Sequence, residues 1–290
     1  VPGQKDRISG PKGVTLLVEG RPLIDLVVER FAASGGFGRL LIAGPGRYYG
    51  ERRGPAEVVD TDREFAANIR AGMEAARKYS PEAVCFTTCD LLPDVDEVQR
   101  VMEDYYRHAP LAFWFPAIRS PARTDLLGAS AYKRRYQLRP EGSKVPEEVL
   151  PGHLVMVNPL AMRVELLQSS FELAYRTRTK TVARRFVIII AGVLWRLLWH
   201  DLRAPLRLRL PLLTAEVFFN ALPLALGLAR GGIRQRTVET CLRRLFATRK
   251  WRRKNRGRRG RVPVLDALSL ARDIDTRGEA EERSMEVRLR

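Results

Sequence analysis

The chain has 290 residues, 45% of them hydrophobic, and a formal net charge of +18. This length can bury one large core or two smaller ones, and the apolar fraction excludes a disordered or low-complexity protein. The three cysteines, Cys85, Cys89 and Cys241, form no CxxC pair and have no histidine cluster beside them. This pattern excludes a disulfide framework or structural zinc site and favours a reducing cytoplasm.

The positive charge is concentrated in one part of the chain. Residues 176–261 hold 23 Lys or Arg and three acidic residues, a net charge of +20, so the remainder of the chain carries −2. Such asymmetry indicates two regions of different construction. We predict that residues 1–175 and 262–290 form one α/β core, and that residues 176–261 form a basic, apolar helical insert.

Short apolar runs alternate with helical patterns in the N-terminal part of the chain. Apolar runs at 14–18, 40–43 and 56–59 are typical of short strands. Apolar residues recur at helical spacing over 23–31 and 65–78. The alternation of strands and helices predicts an α/β fold with a mostly parallel, mixed sheet flanked by helices.

The apolar run at 83–88 predicts a buried strand that leads directly to Asp90. In parallel α/β sheets ligands bind outside the carboxyl ends of the strands, so Asp90 is a candidate site residue. The alternative is that an aspartate at this position caps a helix or forms a turn. A helix predicted over 95–106 follows, and Asp94 and Asp96 are candidates for its N-cap.

Two further strands are predicted at 111–116 and 154–157, and the second is entered from the turn Pro151-Gly152-His153. His153 has two interpretations, as a ligand-contacting residue or as a hydrogen-bonded structural residue. The first 13 residues combine Gly and Pro with basic side chains, which fits either a phosphate-contacting loop or a frayed terminus.

Five short motifs carry a family resemblance through their order along the chain. They are Pro11-Lys12 at the end of a basic Gly-containing loop, Gly20-Arg21-Pro22-Leu23, Cys89-Asp90, Gly152-His153 and Asp273-Ile274-Asp275-Thr276. In this order they resemble nucleotidyltransferases with a GT-A-like, Rossmann-like nucleotide-binding fold, especially the group similar to molybdenum cofactor guanylyltransferase. The closing motif departs from the family's Asp-Thr-Pro-Glu-Asp, because Arg277-Gly278 stand where Pro-Glu is common.

The resemblance implies a Mg²⁺-dependent enzyme that transfers NMP from an NTP to a phosphorylated small molecule and releases pyrophosphate. It implies that Lys12, Asp90 and Asp275 are the catalytic residues. Asp90 and Asp275 would be the Mg²⁺ ligands, with Asp273 as an alternative to Asp275. It also implies nucleotide or acceptor contacts for Gly3, Lys5, Arg7, Lys12, Asn68 and His153. These residue types suit the chemistry, because phosphoryl transfer depends on positioning and on neutralising phosphate charge.

The insert contains two apolar runs, at 186–202 and 210–229, and a dense basic run at 243–261. The apolar runs are shorter than a membrane-spanning helix or are interrupted by charged residues and prolines. This favours helices that lie on an anionic membrane surface. Trp195, Trp199, Phe218 and Phe219 would then lie near the headgroups. The alternative is a helical subdomain that packs its own core or a second subunit in a homodimer. The basic run would contact anionic lipid, or it would bind RNA with Trp251 stacking on a base. The alternative is that this run is a solvated linker.

Three functions follow from these patterns. The first is a cytoplasmic nucleotidyltransferase, with the insert placing it at a membrane surface or a subunit interface. The second is a catalytically inactive nucleotide-fold adaptor that binds anionic membrane or RNA through the insert. The third is a GT-A glycosyltransferase, which is disfavoured because Asp90 lacks the adjacent Asp-x-Asp partner of such enzymes.

Overall fold

A computed structural model describes most of the chain, apart from the first ten residues, a large part of the insert and some short segments. The described residues are 11–50, 54–62, 65–123, 126–128, 130, 135–176, 188, 191–192, 195, 212–229, 232–256 and 260–288. Gly3, Lys5, Arg7 and Trp199 lie outside the described residues, so their predicted contacts stay predictions.

The described helices and strands follow one another as the α/β pattern predicts. The helices are α1 (Lys12–Thr15), α2 (Leu23–Ala33), α3 (Gly46–Tyr49), α4 (Phe65–Arg77), α5 (Val95–His108), α6 (Val164–Arg176), α7 (Leu212–Ala229), α8 (Gln235–Phe246), α9 (Arg249–Lys254) and α10 (Arg277–Arg288). The strands are β1 (Leu17–Val18), β2 (Arg21–Pro22), β3 (Leu40–Gly44), β4 (Ala56–Asp60), β5 (Val84–Phe86), β6 (Phe113–Trp114), β7 (Ala117–Arg119), β8 (Tyr136–Arg139), β9 (Glu147–Pro151), β10 (Val155–Val157), β11 (Ile233–Arg234) and β12 (Val264–Leu265).

The sheets confirm the α/β class and are mixed. β3 and β4 pair in parallel, as do β8 with β11 and β7 with β12. β10 runs antiparallel between β5 and β6, and β9 runs antiparallel between β7 and β8. Antiparallel pairs therefore outnumber parallel ones among the described strands, which the predicted mostly parallel sheet did not anticipate. Two of the antiparallel pairs, β1–β2 and β8–β9, are joined by short turns, which can join only antiparallel strands.

Ion pairs link β7 and the β8–β9 hairpin, which the hydrophobic pattern did not predict. Arg119 Nε lies 2.7 Å from Glu147 Oε2, and Arg135 Nη1 lies 2.7 Å from Glu148 Oε1. Opposite charges on neighbouring strands stabilise a sheet through its polar face. Because these charged residues lie in or next to β7, β8 and β9, the sequences of these strands lack the regular alternation of apolar and polar residues by which strands are recognised.

The described residues form three hydrophobic clusters, and two of them join distant parts of the chain. The first contains Leu16 and Leu154 together with Leu270 and Ile274, so the closing segment packs in the same cluster as the N-terminal part. The second joins residues of the sheet, such as Leu138, to buried residues of α7 and α8. The described helices of the insert therefore pack on the sheet, while the domain boundaries drawn from charge remain a prediction. The three cysteines are free.

Glu216, the single charged residue of α7, is held by three arginines. Its carboxylate lies 3.4 Å from Arg163 Nη2 and 3.2 Å from Arg249 Nη2, and it also accepts a hydrogen bond from Arg252 Nη2. Burial alone would raise the pKa of Glu216, but the three arginines outweigh it and hold this pKa below its ordinary value. These contacts fix α7 against the start of α6 and against α9.

Candidate active site

The segment that follows β5 is paired with the closing segment of the chain. The carbonyl oxygen of Asp90 accepts a hydrogen bond of 2.6 Å from Ile274 N, and Leu91 forms an antiparallel bridge with Asp273. The backbone of two distant segments is thus joined at the carboxyl end of β5. This pairing brings the Asp273-Ile274-Asp275 motif beside Asp90, as the resemblance implied.

The turn before β10 is a third segment at this place. Gly152 N donates a hydrogen bond of 2.9 Å to Pro116 O, and a Cβ at Gly152 would lie 2.7 Å from Pro116 Cγ. Only glycine permits such a close approach of the two chains. The turn places His153 N 2.8 Å from Leu270 O and His153 Nε2 3.2 Å from Asp273 Oδ1. His153 therefore contacts the closing motif.

Lys12 enters the site from α1. Gly13 is buried against the residue before Asp90, because a Cβ at Gly13 would lie 3.3 Å from Cys89 Cβ. This packing carries the neighbouring Lys12 to both carboxylates: its Nζ donates a hydrogen bond to Asp275 Oδ1 and lies 3.7 Å from Asp90 Oδ2. The three residues predicted to be catalytic thus meet at one place in the fold.

Lys12 offsets part of the negative charge of the aspartates at this place. Burial tends to lower the pKa of Lys12, but the hydrogen bond and charge of Asp275, with the charges of Asp90 and Asp273, raise this pKa above its ordinary value of 10.5. Lys12 therefore keeps its proton at neutral pH. The structure also separates the two aspartates that the sequence left as alternatives, because Asp275 contacts Lys12 and Asp273 contacts His153.

A capping box fixes the backbone of Asp275. Thr276 Oγ1 accepts a hydrogen bond of 3.2 Å from Glu279 N, and Glu279 Oε2 accepts hydrogen bonds of 2.8 Å and 2.9 Å from the backbone N–H groups of Asp275 and Thr276. The Thr-x-x-Glu spacing that begins α10 is the sequence signal for this arrangement. Glu279 is a residue that the analysis of the sequence missed, and it positions Asp275.

We expect Glu279→Ala to lower the free energy of unfolding by about 1 kcal/mol, because two backbone N–H groups lose their acceptor. It should also lower the rate of nucleotidyl transfer, whereas Glu279→Gln, which keeps an acceptor oxygen, should have smaller effects. Glu281→Ala, at an exposed position of the same helix, is the matched control. Chemical denaturation and a transfer assay measure both effects; equal results for Glu279→Ala and Glu281→Ala would refute the positioning role.

Two other predicted residues have clear positions. Asp94 is the N-cap of α5, since its side chain accepts hydrogen bonds from Asp96 N at 3.1 Å and Glu97 N at 3.4 Å. This confirms Asp94 as a cap and places Asp96 in the first turn instead.

Asn68 lies on α4, where its Oδ1 accepts a hydrogen bond of 3.1 Å from Thr61 Oγ1. This contact ties Asn68 to the residue after β4, and its predicted role with nucleotide stays a prediction.

Comparisons with known proteins identify the family of the chain. No curated protein matches the chain. Among solved structures, CMP:2-keto-3-deoxy-manno-octonic acid synthetase complexed with CTP is similar, with 14% sequence identity and a TM-score of 0.43, over 64% of this chain and 81% of that chain. The model of the MobA-like NTP transferase domain matches residues 3–186, which is more than half of the chain. The family suggested by the five motifs is therefore confirmed: the chain belongs to the MobA-like NTP transferase domain family and is a nucleotidyltransferase.

Proposed function

We propose that this nucleotidyltransferase is Mg²⁺-dependent and transfers NMP from an NTP to a phosphorylated small molecule. An oxygen of the acceptor phosphate attacks the α-phosphorus of the NTP, the bond from that phosphorus to the bridging oxygen of the β-phosphate breaks, and pyrophosphate leaves. The observation that supports this proposal is the meeting of Lys12, Asp90 and Asp275 beyond the end of β5. One cation and two carboxylates at a strand end suit the binding of phosphates and a divalent metal.

The carboxylate of Asp90 fits a metal ion. Its Oδ1 atom is buried and has no hydrogen-bond partner within the described part of the chain. A buried polar oxygen without a partner costs free energy, and a hard cation can satisfy it. No group of three or more candidate metal ligands occurs in the described ranges. Mg²⁺ binds one or two carboxylates together with substrate phosphates and water, so Asp90 and Asp275 would suffice as its protein ligands.

In this proposal Asp90 and Asp275 hold Mg²⁺, which when bound neutralises charge on the substrate phosphates. Lys12 supplies a fixed positive charge at the same place. Because its pKa is raised, Lys12 stays protonated and cannot serve as a general base. Its role is to bind phosphate oxygens of the substrate. When substrate binds, the ammonium group would leave Asp275 and contact these oxygens instead.

The protonation of Lys12 also bears on the acceptor. A phosphate monoester is already an anion at neutral pH, since its second pKa is about 6, so it attacks without the help of a base. A sugar hydroxyl would need a general base to take its proton. In this proposal the phosphorylated acceptor therefore needs no general base, and Lys12 acts only as a cation.

A screen of the four NTPs with Mg²⁺ by thermal shift tests this function. We expect one NTP to raise the melting temperature by several degrees in the presence of Mg²⁺, because a ligand that binds only the folded state stabilises it. Sugar, alditol and inositol phosphates are then assayed for pyrophosphate release with that NTP. Release should require the phosphate of the acceptor, so the unphosphorylated compounds are the matched controls.

Two results would contradict the proposal. If no NTP changes the melting temperature, the site does not bind nucleotide. If an NTP binds but no acceptor releases pyrophosphate, the inactive adaptor becomes the better description of the chain.

A further inference from the structure

The outer face of α7 is apolar along its length. Four of its side chains form what we call the α7 stripe: Phe218, Phe219, Leu222 and Leu226, with exposed fractions of 45%, 67%, 42% and 44%. Their spacing places them on one side of the helix, while Val217 and Leu224 are buried on the other. A single exposed apolar residue is ordinary, but a continuous stripe on one helix indicates an interaction surface.

The fold holds the α7 stripe outward. Glu216, at the flank between the buried side and the stripe, is bound by three arginines, and Arg244 Nη1 lies 3.4 Å from the buried Asn220 Oδ1. Near the other end of the helix, a Cβ at Gly227 would lie 2.8 Å from Ile233 Cδ1, so α7 is packed closely on β11. The helix cannot turn the stripe inward without breaking these contacts.

Exposed cations stand beside the α7 stripe. α9 carries Arg249, Lys250, Arg253 and Lys254 at exposed positions. Arg249 and Arg252 bind Glu216, which lies in the N-terminal half of α7, about one helical turn before Phe219. An apolar surface and a basic surface therefore adjoin at the start of α7.

An anionic membrane surface complements this combination. Apolar side chains enter the boundary between headgroups and acyl chains, and cations beside them attract anionic lipids. Among the described residues no helix is long and apolar enough to cross a bilayer. The 18 residues of α7 carry the stripe on one side only, so the helix would lie in the membrane plane with this side toward the lipid.

Two other occupants fit less well. In a two-fold symmetric dimer the same surface of both subunits meets, so the exposed cations of α9 would find no exposed acidic partner on the described α7–α9 surface of the other copy. Nucleic acid binds to basic surfaces through stacking on aromatic rings, but Leu222 and Leu226 offer no ring for a base. The membrane surface uses both the aliphatic and the charged residues.

We propose that α7 and α9 form a docking surface for anionic membranes. The α7 stripe inserts shallowly, and Lys250 and Arg253 of α9 contact the headgroups. This inference goes beyond nucleotidyl transfer and does not depend on it, because none of these residues belongs to the site around Asp90.

Sedimentation with vesicles tests the docking surface. We expect the full chain to bind vesicles of phosphatidylcholine with about 30% phosphatidylserine at least tenfold more tightly than vesicles of phosphatidylcholine alone, and salt should weaken this binding. Phe219→Ser/Leu222→Ser should lower the affinity for the anionic vesicles by about tenfold or more, since two apolar contacts are lost. Lys250→Gln/Arg253→Gln should lower the preference for anionic vesicles several-fold. Met285→Ser, at a residue 60% exposed on α10, should leave binding unchanged.

A second variant keeps the test independent of folding defects. Phe219→Trp retains an aromatic ring, and brominated lipids in the vesicle should quench its added fluorescence on binding. Circular dichroism melting verifies that each variant is folded. Unchanged vesicle binding in folded Phe219→Ser/Leu222→Ser, or absence of quenching in Phe219→Trp, would overturn the proposal. Loss of a dimer or of oligoribonucleotide binding in these variants, without any vesicle binding by the native chain, would overturn it in favour of those partners.

Discussion

Replacing Asp90 with asparagine should lower Mg²⁺-dependent pyrophosphate release by about 10²- to 10³-fold, while the protein stays folded. The substitution keeps the shape of the side chain and removes its charge. The buried Oδ1 atom, which has no hydrogen-bond partner within the described residues, loses its affinity for a cation. The stabilisation of the protein by Mg²⁺·NTP in a thermal shift assay should be lost together with the activity.

Asp94→Asn is the matched control for this substitution. Asp94 lies four residues further along the chain and caps α5, and asparagine is an equally good cap. We therefore expect Asp94→Asn to leave both activity and melting temperature close to those of the native protein. Full pyrophosphate release by Asp90→Asn would mean that Asp90 is a structural residue at the end of its strand.

Replacing Lys12 with methionine should have two effects that can be measured separately. Transfer should fall by about 100-fold, because a positive charge that binds phosphate is lost. The free energy of unfolding should fall by about 1–3 kcal/mol, because the Asp275 side chain, only 8% exposed, loses the ammonium group that neutralises it. The stability effect should persist throughout neutral pH, where native Lys12 is fully protonated.

A double-mutant cycle distinguishes the structural from the catalytic part of the Lys12 contact. In Lys12→Met/Asp275→Asn the buried charge is gone as well, so we expect most of the lost stability to return, with a coupling of about 1 kcal/mol or more. Activity should not return. If the two single changes add without coupling, the Lys12–Asp275 contact contributes nothing to the native state; if the double variant is active, neither residue is catalytic.

The elements with a strong hydrophobic pattern were predicted well from the sequence. The helix predicted over 95–106 is α5, Val95–His108, and its start is set by the Asp94 cap. The strands predicted at 40–43 and 56–59 are β3 and β4, each one residue longer than predicted. In these elements the local residue preferences and the burial of the apolar side chains favour the same secondary structure. The hydrophobic pattern alone is therefore enough to predict them.

Other elements depend on contacts that no local pattern contains. α1 is a single turn of four residues, Lys12–Thr15, that covers the start of the apolar run 14–18, so only Leu17–Val18 of that run form a strand. The β8–β9 hairpin is supported by ion pairs, such as Arg135 with Glu148, rather than by alternating apolar residues. Tertiary pairing outweighs local propensity at such places.

The candidate site was predictable only through the family resemblance. Lys12 and Asp275 are 263 positions apart, and nothing in their surroundings in the sequence indicates that they touch. The prediction that they share one site came from the family resemblance, which rests on the order of the five motifs. The different contacts of Asp273 and Asp275, by contrast, are visible only in the structure, because both stand in the same short motif.

The separation of Lys12 and Asp275 also affects how the protein acquires activity. Their contact closes a loop of almost the whole chain, and contacts between residues so far apart in sequence form late and slowly during folding. An intermediate in which only the N-terminal part has folded would contain Asp90 and Lys12 without the closing segment. The recovery of transfer activity during refolding should therefore lag behind the recovery of helical structure, which makes catalysis itself a reporter of the completed fold.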